Sequence, residues 1–309
     1  MSPDKAGKDL GSVLGLPKKL RLKVFGDVGK LLRKTKADVA VLSTGSSLRD
    51  VKPQIVALVR KGLHVVSTCE ELSFPAPARA AAFREIDALA RRKKVSVLGS
   101  GVNPGYAMDA LALFLTAPCA RVNRVSVTRV VDASTRRLPL QRKVGAGLNV
   151  AQFRRAITEG SVRHVGLPES VHMIAAGLGW KLDRVDETME PAIAPRDLDT
   201  EYLRVPAGNA AGIKQSARGY RKDALLISLD LQMYVGAEQP RDHILIDGVP
   251  PIEMTIAGGI AGDVATAAIA INAIPKLLAA RPGLVTMRDI PLVHAFSPLE
   301  AKALPPKRK

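Results

Sequence analysis

The sequence predicts an α/β chain: an incomplete parallel-sheet domain of the doubly wound kind, followed by an α+β domain. Three observations carry that prediction. Over residues 20–100, short apolar runs alternate with amphipathic stretches across short connections, the pattern of βαβ crossovers. After Gly105 the alternation gives way to longer runs of β type. No G-x-G-x-x-G turn precedes the first buried run, although a dinucleotide-binding domain opens with a strand, that turn and a helix whose N-terminus faces the pyrophosphate.

Residues 2–10 read like the segment just after the second strand of such a domain. Gly7, Gly11 and Gly15 are too widely spaced to replace the turn. One βα unit and its next strand, roughly 30 residues, are expected to be absent ahead of Met1. Residues 22–25 suit a short strand and residues 28–33 a short helix. The apolar run 38–44 reads as a buried parallel strand. Residues 48–61 form an amphipathic helix with Val51, Ile55, Val56 and Val59 on one side, stopped by Gly62. Residues 64–68 and 95–99 are the next strands, separated by an Ala- and Arg-rich helix over 76–92. Residues 121–133 are a long strand, 151–180 are helical and 181–257 are mostly strands. From Ile227 the run 225–235 alternates with period two, as a sheet with one wet face requires. Residues 263–280 predict a long apolar helix with Asp263 as N-cap and a kink at Pro275. The expected division is a partial dinucleotide-binding domain over 1–105, a substrate and dimerisation domain over 106–291 and a tail over 292–309, of which residues 305–309 read as disordered.

The chain has 309 residues, enough for two domains with proper cores. No apolar run is long enough to span a bilayer, and no secretory leader is visible, so no membrane partner is expected. Two cysteines, Cys69 and Cys119, make neither a disulfide framework nor a metal spacing, and the expected setting is a reducing cytoplasm. The formal net charge of +17 is spread over scattered cations, and aromatic residues are only 4%, which argues against a stacking platform for nucleic acid. The five histidines do not cluster, and no zinc, P-loop or nucleophile-elbow pattern is present, so no metal is expected.

In a doubly wound sheet, ligands sit beyond the carboxyl ends of the strands. Three loops occupy that position. Thr44-Gly45-Ser46-Ser47 offers a glycine and hydroxyls to a nucleotide, or a helix cap from Ser46 or Ser47. Cys69-Glu70-Glu71 brings two adjacent carboxylates to a strand end; strand-like alternation would turn only one toward a cleft, and the alternative is that both favour the N-terminus of the following helix. In Gly99-Ser100-Gly101-Val102-Asn103-Pro104-Gly105-Tyr106, the glycines allow close backbone approach to a flat ring, and Asn103 can both donate to and accept from a carboxamide. The segment 132–143, with Arg136, Arg137, Arg142 and Lys143, suits either an anionic ligand or a solvated loop.

These segments together resemble the 2,4-diaminopentanoate dehydrogenase family, whose relatives include native amine dehydrogenases and, more distantly, dihydrodipicolinate reductase. The likeness rests on residues 37–48, 65–73, 101–105 and 128–147. It continues through His164-Val165-Gly166-Leu167-Pro168-Glu169-Ser170, Tyr234-Val235-Gly236-Ala237-Glu238 and Gly262-Asp263-Val264-Ala265-Thr266-Ala267-Ala268, with Asn272-Ala273-Ile274-Pro275 after them, and runs from near Ser2 to about Pro291. The resemblance implies an incomplete Rossmann-type domain for NAD or NADP, a substrate and dimerisation domain, a homodimer, and reversible oxidative deamination of an amine to a ketone and ammonia. By position the family's glutamate falls on Glu70 or Glu71. Cofactor contacts are expected from Thr44, Gly45, Ser46, Cys69, Gly101, Asn103 and Pro104, and substrate contacts from Asn103, Arg136 and Gln141. The runner-up expectation is a truncated, non-catalytic remnant that dimerises but binds cofactor poorly.

Overall fold

A computed structural model describes residues 3–296. The expected tail over 292–309, including the stretch 305–309, lies outside the described residues from position 297 onward. The chain opens with two short helices, α1 (Leu10–Val13) and α2 (Val28–Leu32), each capped by an aspartate, Asp9 and Asp27, whose side chain accepts a backbone N–H of the first turn. Residues 22–25 are not a strand. They make only an isolated antiparallel bridge between Asp9 and Lys23, because their cross-chain partners are turn residues rather than a neighbouring strand.

A parallel layer follows: β1 (Val39–Leu42), α3 (Leu48–Arg60), β2 (His64–Ser67), α4 (Ala80–Lys93) and β3 (Ser96–Gly99). β1 pairs with β2, and β2 with β3, in register Val41–Val66 and Val66–Leu98. α3 forms because Leu48, Val51, Ile55, Leu58 and Val59 fall on one face and are buried, and it tolerates Pro53 within its first turns. β1 is an edge strand rather than a doubly covered one, and its Val41 stays 44% exposed.

The second layer comprises α5 (Ala110–Leu115), β4 (Arg121–Asp132), α6 (Leu138–Lys143), α7 (Val150–Thr158) and α8 (Leu167–Gly177), then β5 (Arg184–Ile193), the short ribbon β6 (Leu198–Asp199) and β7 (Arg204–Val205), and β8 (Ala210–Arg221), β9 (Ala224–Tyr234), β10 (Arg241–Val249) and β11 (Ile252–Ala257). Its six-stranded sheet runs β11-β10-β4-β9-β8-β5, antiparallel except for the β4–β9 pair. Alternation turns Val125, Val127, Ile227, Leu229, Ile213 and Ile244 inward onto α5 and α8, while Ser126, Thr128, Ser228 and Asp230 look outward. Residues 138–143, read from sequence as part of a loop, are helical, with Pro139 in the first turn where its missing N–H costs nothing.

The chain then returns to the first layer. α9 (Gly262–Asn272) and α10 (Ile274–Leu278) lead to β12 (Gly283–Val285), which pairs in parallel with β3. Ala270, Ala273 and Leu277 pack on Val66, Leu98 and Val285, so the four-stranded sheet is built from two distant stretches of sequence. The expected single helix over 263–280 is two helices. The break falls at Ala273, before Pro275, and Ala261 holds the N-cap position; the Asp263 carboxylate is engaged by Arg136 instead of capping.

Candidate functional site

The carboxyl ends of β2 and β3 meet the inner face of the six-stranded sheet at a cavity of about 190 Å³. Glu70, Val102 and Asn103 line it from the parallel layer, Thr266, Gly262 and Asp263 from α9, and Arg129, Arg136, Lys143, Arg163 and His164 from the second layer. Six separated stretches of sequence, around residues 70, 102, 129–144, 163, 233 and 262–266, therefore converge on one small space.

Glu70 opens a single 3₁₀ turn, Glu70–Leu72, not a strand end. Successive residues of such a turn point about 120° apart, which separates the two carboxylates. Glu70 faces the cavity, with Lys143 Nζ 3.7 Å from its Oε1. Glu71 turns away: its Oε2 accepts the Leu48 N–H at 2.8 Å and its Oε1 pairs with Arg79 at 2.5 Å. Ser47 holds the N-cap position of α3 without a side-chain hydrogen bond, so the expected serine cap is supplied by Glu71, a residue 23 positions away. The following helix does not receive either carboxylate.

Asn103 is buried, and neither its amide nitrogen nor its amide oxygen has a hydrogen-bond partner. A buried amide left with both functions open, in a lined cavity, is suited to a ligand group that presents one donor and one acceptor. The carboxamide of a nicotinamide ring is such a group, so the residues at this end fit that half of NAD or NADP. Among the described residues, none of the turns after β1, β2 or β3 carries G-x-G-x-x-G, and no pyrophosphate contact can be assigned there.

The remaining expected site residues fall into two groups. Arg136 joins Glu70 and Asn103 in the cavity; its Nη2 donates to Asp263 at 2.9 Å and its buried Nε is free. The others do not line that cavity. Thr44 donates to Gln54, Gly45 packs near Val51, and the Ser46 carbonyl accepts from Cys69 Sγ at 3.2 Å. Burial and the nearby Glu70 push the Cys69 thiol up to about 12, which keeps it an inert packing group. Gly101 passes close to Thr266, and Pro104, after a cis peptide bond, packs against Gly166. Gln141 is fully buried and its amide is spent on Ser134, Arg136 and Thr200, so it shapes the Arg136 turn rather than reaching into the cavity.

Sequence reasoning did not single out Arg129, Arg163 or His164. Arg129 was findable: it follows Val125 and Val127 at period two, on the inward face of β4. It is paired with Asp242, and its Nη2 donates to the Ile260 carbonyl at 2.6 Å. His164 has a buried, unpartnered Nδ1; burial, aided by Lys143, Arg129 and Arg163, pulls its pKa down to about 3. Arg163 also leaves a buried Nε unpartnered. Each of the four cations has a carboxylate within reach, Arg129 with Asp242, Arg136 with Asp263, Lys143 with Glu70 and Arg163 with Glu187, so the cavity is rich in N–H donors whose charge is locally balanced. Among the described residues no group of three or more His, Cys, Asp or Glu side chains could hold a metal ion, and no helix is long and apolar enough to cross a membrane.

Residues 106–304 match the family described as the 2,4-diaminopentanoate dehydrogenase C-terminal domain. The chain is 35% identical over 279 residues to the 2,4-diaminopentanoate dehydrogenase of Acetoanaerobium sticklandii, covering 88% of this chain and 79% of that one. It is 24% identical to the amine dehydrogenase of Streptomyces virginiae, over 97% of this chain and 90% of that protein. Its fold is similar to the structure of the amine dehydrogenase from Mycobacterium smegmatis, with a TM-score of 0.84 at 23% identity, over 96% of this chain and 88% of the other.

Proposed function

The chain belongs to the 2,4-diaminopentanoate dehydrogenase family, and we propose that it is an NAD(P)-dependent oxidoreductase that oxidatively deaminates a primary amine bearing an anionic group, or runs the reductive amination in reverse. One observation carries this reading: Glu70 and the unpartnered amide of Asn103 face the same cation-lined cavity.

The bound nicotinamide supplies a hydride acceptor at its C4. Asn103, whose buried amide has both its functions open, would hold that ring by its carboxamide. Glu70 stabilises the cationic iminium left on the substrate carbon and takes a proton from the water that adds there. The adduct then collapses to ketone and ammonia; in reverse the same carboxyl returns the proton. Arg136 and Arg163 hold the substrate's anionic end, since each leaves a buried Nε–H without a partner where water cannot fully solvate it, while Lys143 stands beside Glu70. The partners are thus a small amine or ketone, ammonia and, as expected from the sequence, a second copy of the chain, which sedimentation of the purified protein checks.

The test is reduced-cofactor formation from NAD or NADP with 2-, 3- and 4-amino carboxylates beside the corresponding plain amines. Turnover of at least one amino carboxylate supports the reading; binding of NADH and NADPH without turnover of any amine supports neither Glu70 chemistry nor the substrate class. Fluorescence titration with NADH and NADPH reads cofactor binding apart from turnover; failure of both to bind overturns the reading.

A further inference from the structure

The segment 164–170 contributes three contacts that the reaction as described does not use. Gly166, at φ +113°, lies so close to the site that a Cβ there would meet Pro104 Cδ and Cγ at 2.5 Å and Glu70 Cβ at 3.4 Å. Glu169, buried in the first turn of α8, pairs with Arg79 Nη1, whose Nη2 pairs with Glu71, whose Oε2 in turn accepts the Leu48 N–H. Ser170 Oγ donates at 2.7 Å to Asp109 Oδ2, which also accepts the Gly105 N–H at 2.8 Å.

Each contact ends on a different part of the same two loops. The Glu169 chain reaches Glu71, the residue after Glu70, and the Ser170 chain reaches Gly105, two residues after Asn103. Asp109 is fully buried, and among the described residues no cation is paired with it. Burial pushes its carboxyl up, and three donors, the N–H groups of Gly105 and Ala110 and the Ser170 hydroxyl, work against that, so loss of one changes how firmly the Gly105 backbone is held. A peptide turn that touched only one loop would be ordinary packing. This one touches both, and also closes over them through Gly166.

We propose that the turn Gly166-Leu167-Pro168-Glu169-Ser170 is the element by which the second layer sets the geometry of Glu70 and Asn103, with Ser170 the positioning residue for the Asn103 loop and Glu169 the positioning residue for the Glu70 turn. The assignment rests on the reading of Glu70 and Asn103 as reaction groups. Displacements of an ångström at a reacting centre cost turnover far more than they cost binding of the whole ligand.

The test uses the full chain with Ser170→Ala, Ser170→Thr and Glu169→Gln, each assayed well below its melting temperature. Ser170→Ala and Glu169→Gln are expected to lower kcat about 10-fold or more with KM for the amine within about 3-fold. They also alter the primary deuterium isotope effect with an amine deuterated at the reacting carbon. Ser170→Thr, which keeps the hydroxyl, restores kcat. Hydrogen exchange on the protein alone, without cofactor, should accelerate at Gly105 in Ser170→Ala and at Leu48 in Glu169→Gln. Unaltered kcat and isotope effect beside a lowered Tm overturn the proposal, because that is the pattern of packing alone. If the unaltered chain oxidises no amine, the functional reading fails instead, and unchanged protection of Gly105 and Leu48 still overturns the positioning claim on its own.

Discussion

Glu70 and Glu71 are consecutive in the chain yet serve opposite sides of the parallel layer: one stands 3.7 Å from Lys143 in the cavity, and the other accepts the first free N–H of α3 from Leu48. Their separate roles make a paired prediction. Glu70→Gln keeps shape and removes charge, so kcat should fall by about 10²–10⁴-fold with Tm within a degree or two. Glu71→Gln removes the negative charge at a helix N-terminus and half of the Arg79 bridge, and should cost about 1–3 kcal/mol in denaturant unfolding with a much smaller loss of kcat. Steady-state kinetics and urea titration of both variants check it; equal loss of turnover in the two would sink the division of labour.

Arg129 and Asp242 form a buried pair that fixes the approach to α9. The guanidinium donates to the Ile260 carbonyl at 2.6 Å, and the carboxylate accepts the Ile260 N–H at 2.8 Å, so the pair grips both backbone groups of one residue just before α9. Asp242→Asn leaves the arginine buried with no balancing charge. It should destabilise the chain by roughly 3–5 kcal/mol, whereas Asp242→Asn combined with Arg129→Met should recover part of that loss. Chemical denaturation of the single and double variants measures the difference.

The strands and helices were legible wherever the apolar period was clean, as in α3, with its Val51, Ile55 and Val59 stripe, and in β9, with its alternating Ile227, Leu229 and Leu231. Legibility failed where distant contacts decide local form. The Glu70–Leu72 turn is 3₁₀ because its residues sit between Ser46 and Gly99, whose missing Cβ leaves room for the Leu72 backbone, and neither is adjacent in sequence. β12 and its partner β3 are about 185 residues apart, so no local pattern announces the pairing. At the site, the loop residues Asn103 and Glu70 stood out by their unusual neighbours. Arg136 was expected through the resemblance, but Arg129 and Arg163 were not, because in a chain of net charge +17 no single arginine is conspicuous until the fold gathers three of them beside Lys143.

His164 and Glu169 give the stability a worked pH dependence. Burial holds the imidazole near 3 rather than 6.5, and burial lifts the Glu169 carboxyl from 4.5 to about 6 in spite of Arg79. Between pH 4.5 and 6 the unfolded chain therefore binds more protons at His164 and fewer at Glu169. The first makes stability rise with pH and the second makes it fall. The histidine's contribution is whole above pH 6.5 and is lost as pH drops toward 3; the glutamate's is whole below pH 4.5 and is gone above about 6. His164→Gln removes the first effect alone. Relative to the unaltered chain, it should gain about 2–3 kcal/mol on going from pH 6.5 to pH 4.5. Urea unfolding of both chains at the two pH values reads this directly, and parallel curves would show that the ring is solvated in the folded state.

The open Nε–H of Arg163 separates two classes of substrate that share the same reacting carbon. A carboxylate held by Arg163 exchanges one charge-assisted contact for the water it sheds, and such a contact is worth about 1.5–3 kcal/mol. Arg163→Met should therefore raise KM for an amino carboxylate by roughly 10–100-fold and leave KM for the plain amine of equal length almost unchanged. The turnover number should hold in both cases, since Arg163 has no contact with Glu70, the group that handles the proton. The guanidinium also stands 3.7 Å from Glu187, so the substrate carboxylate competes with a carboxylate already present. Glu187→Gln, which frees the guanidinium, should lower KM for the amino carboxylate. Opposite shifts from the two variants identify Arg163 as the group that meets the anionic end; a loss of plain-amine turnover in Arg163→Met would place its role in the chemistry instead.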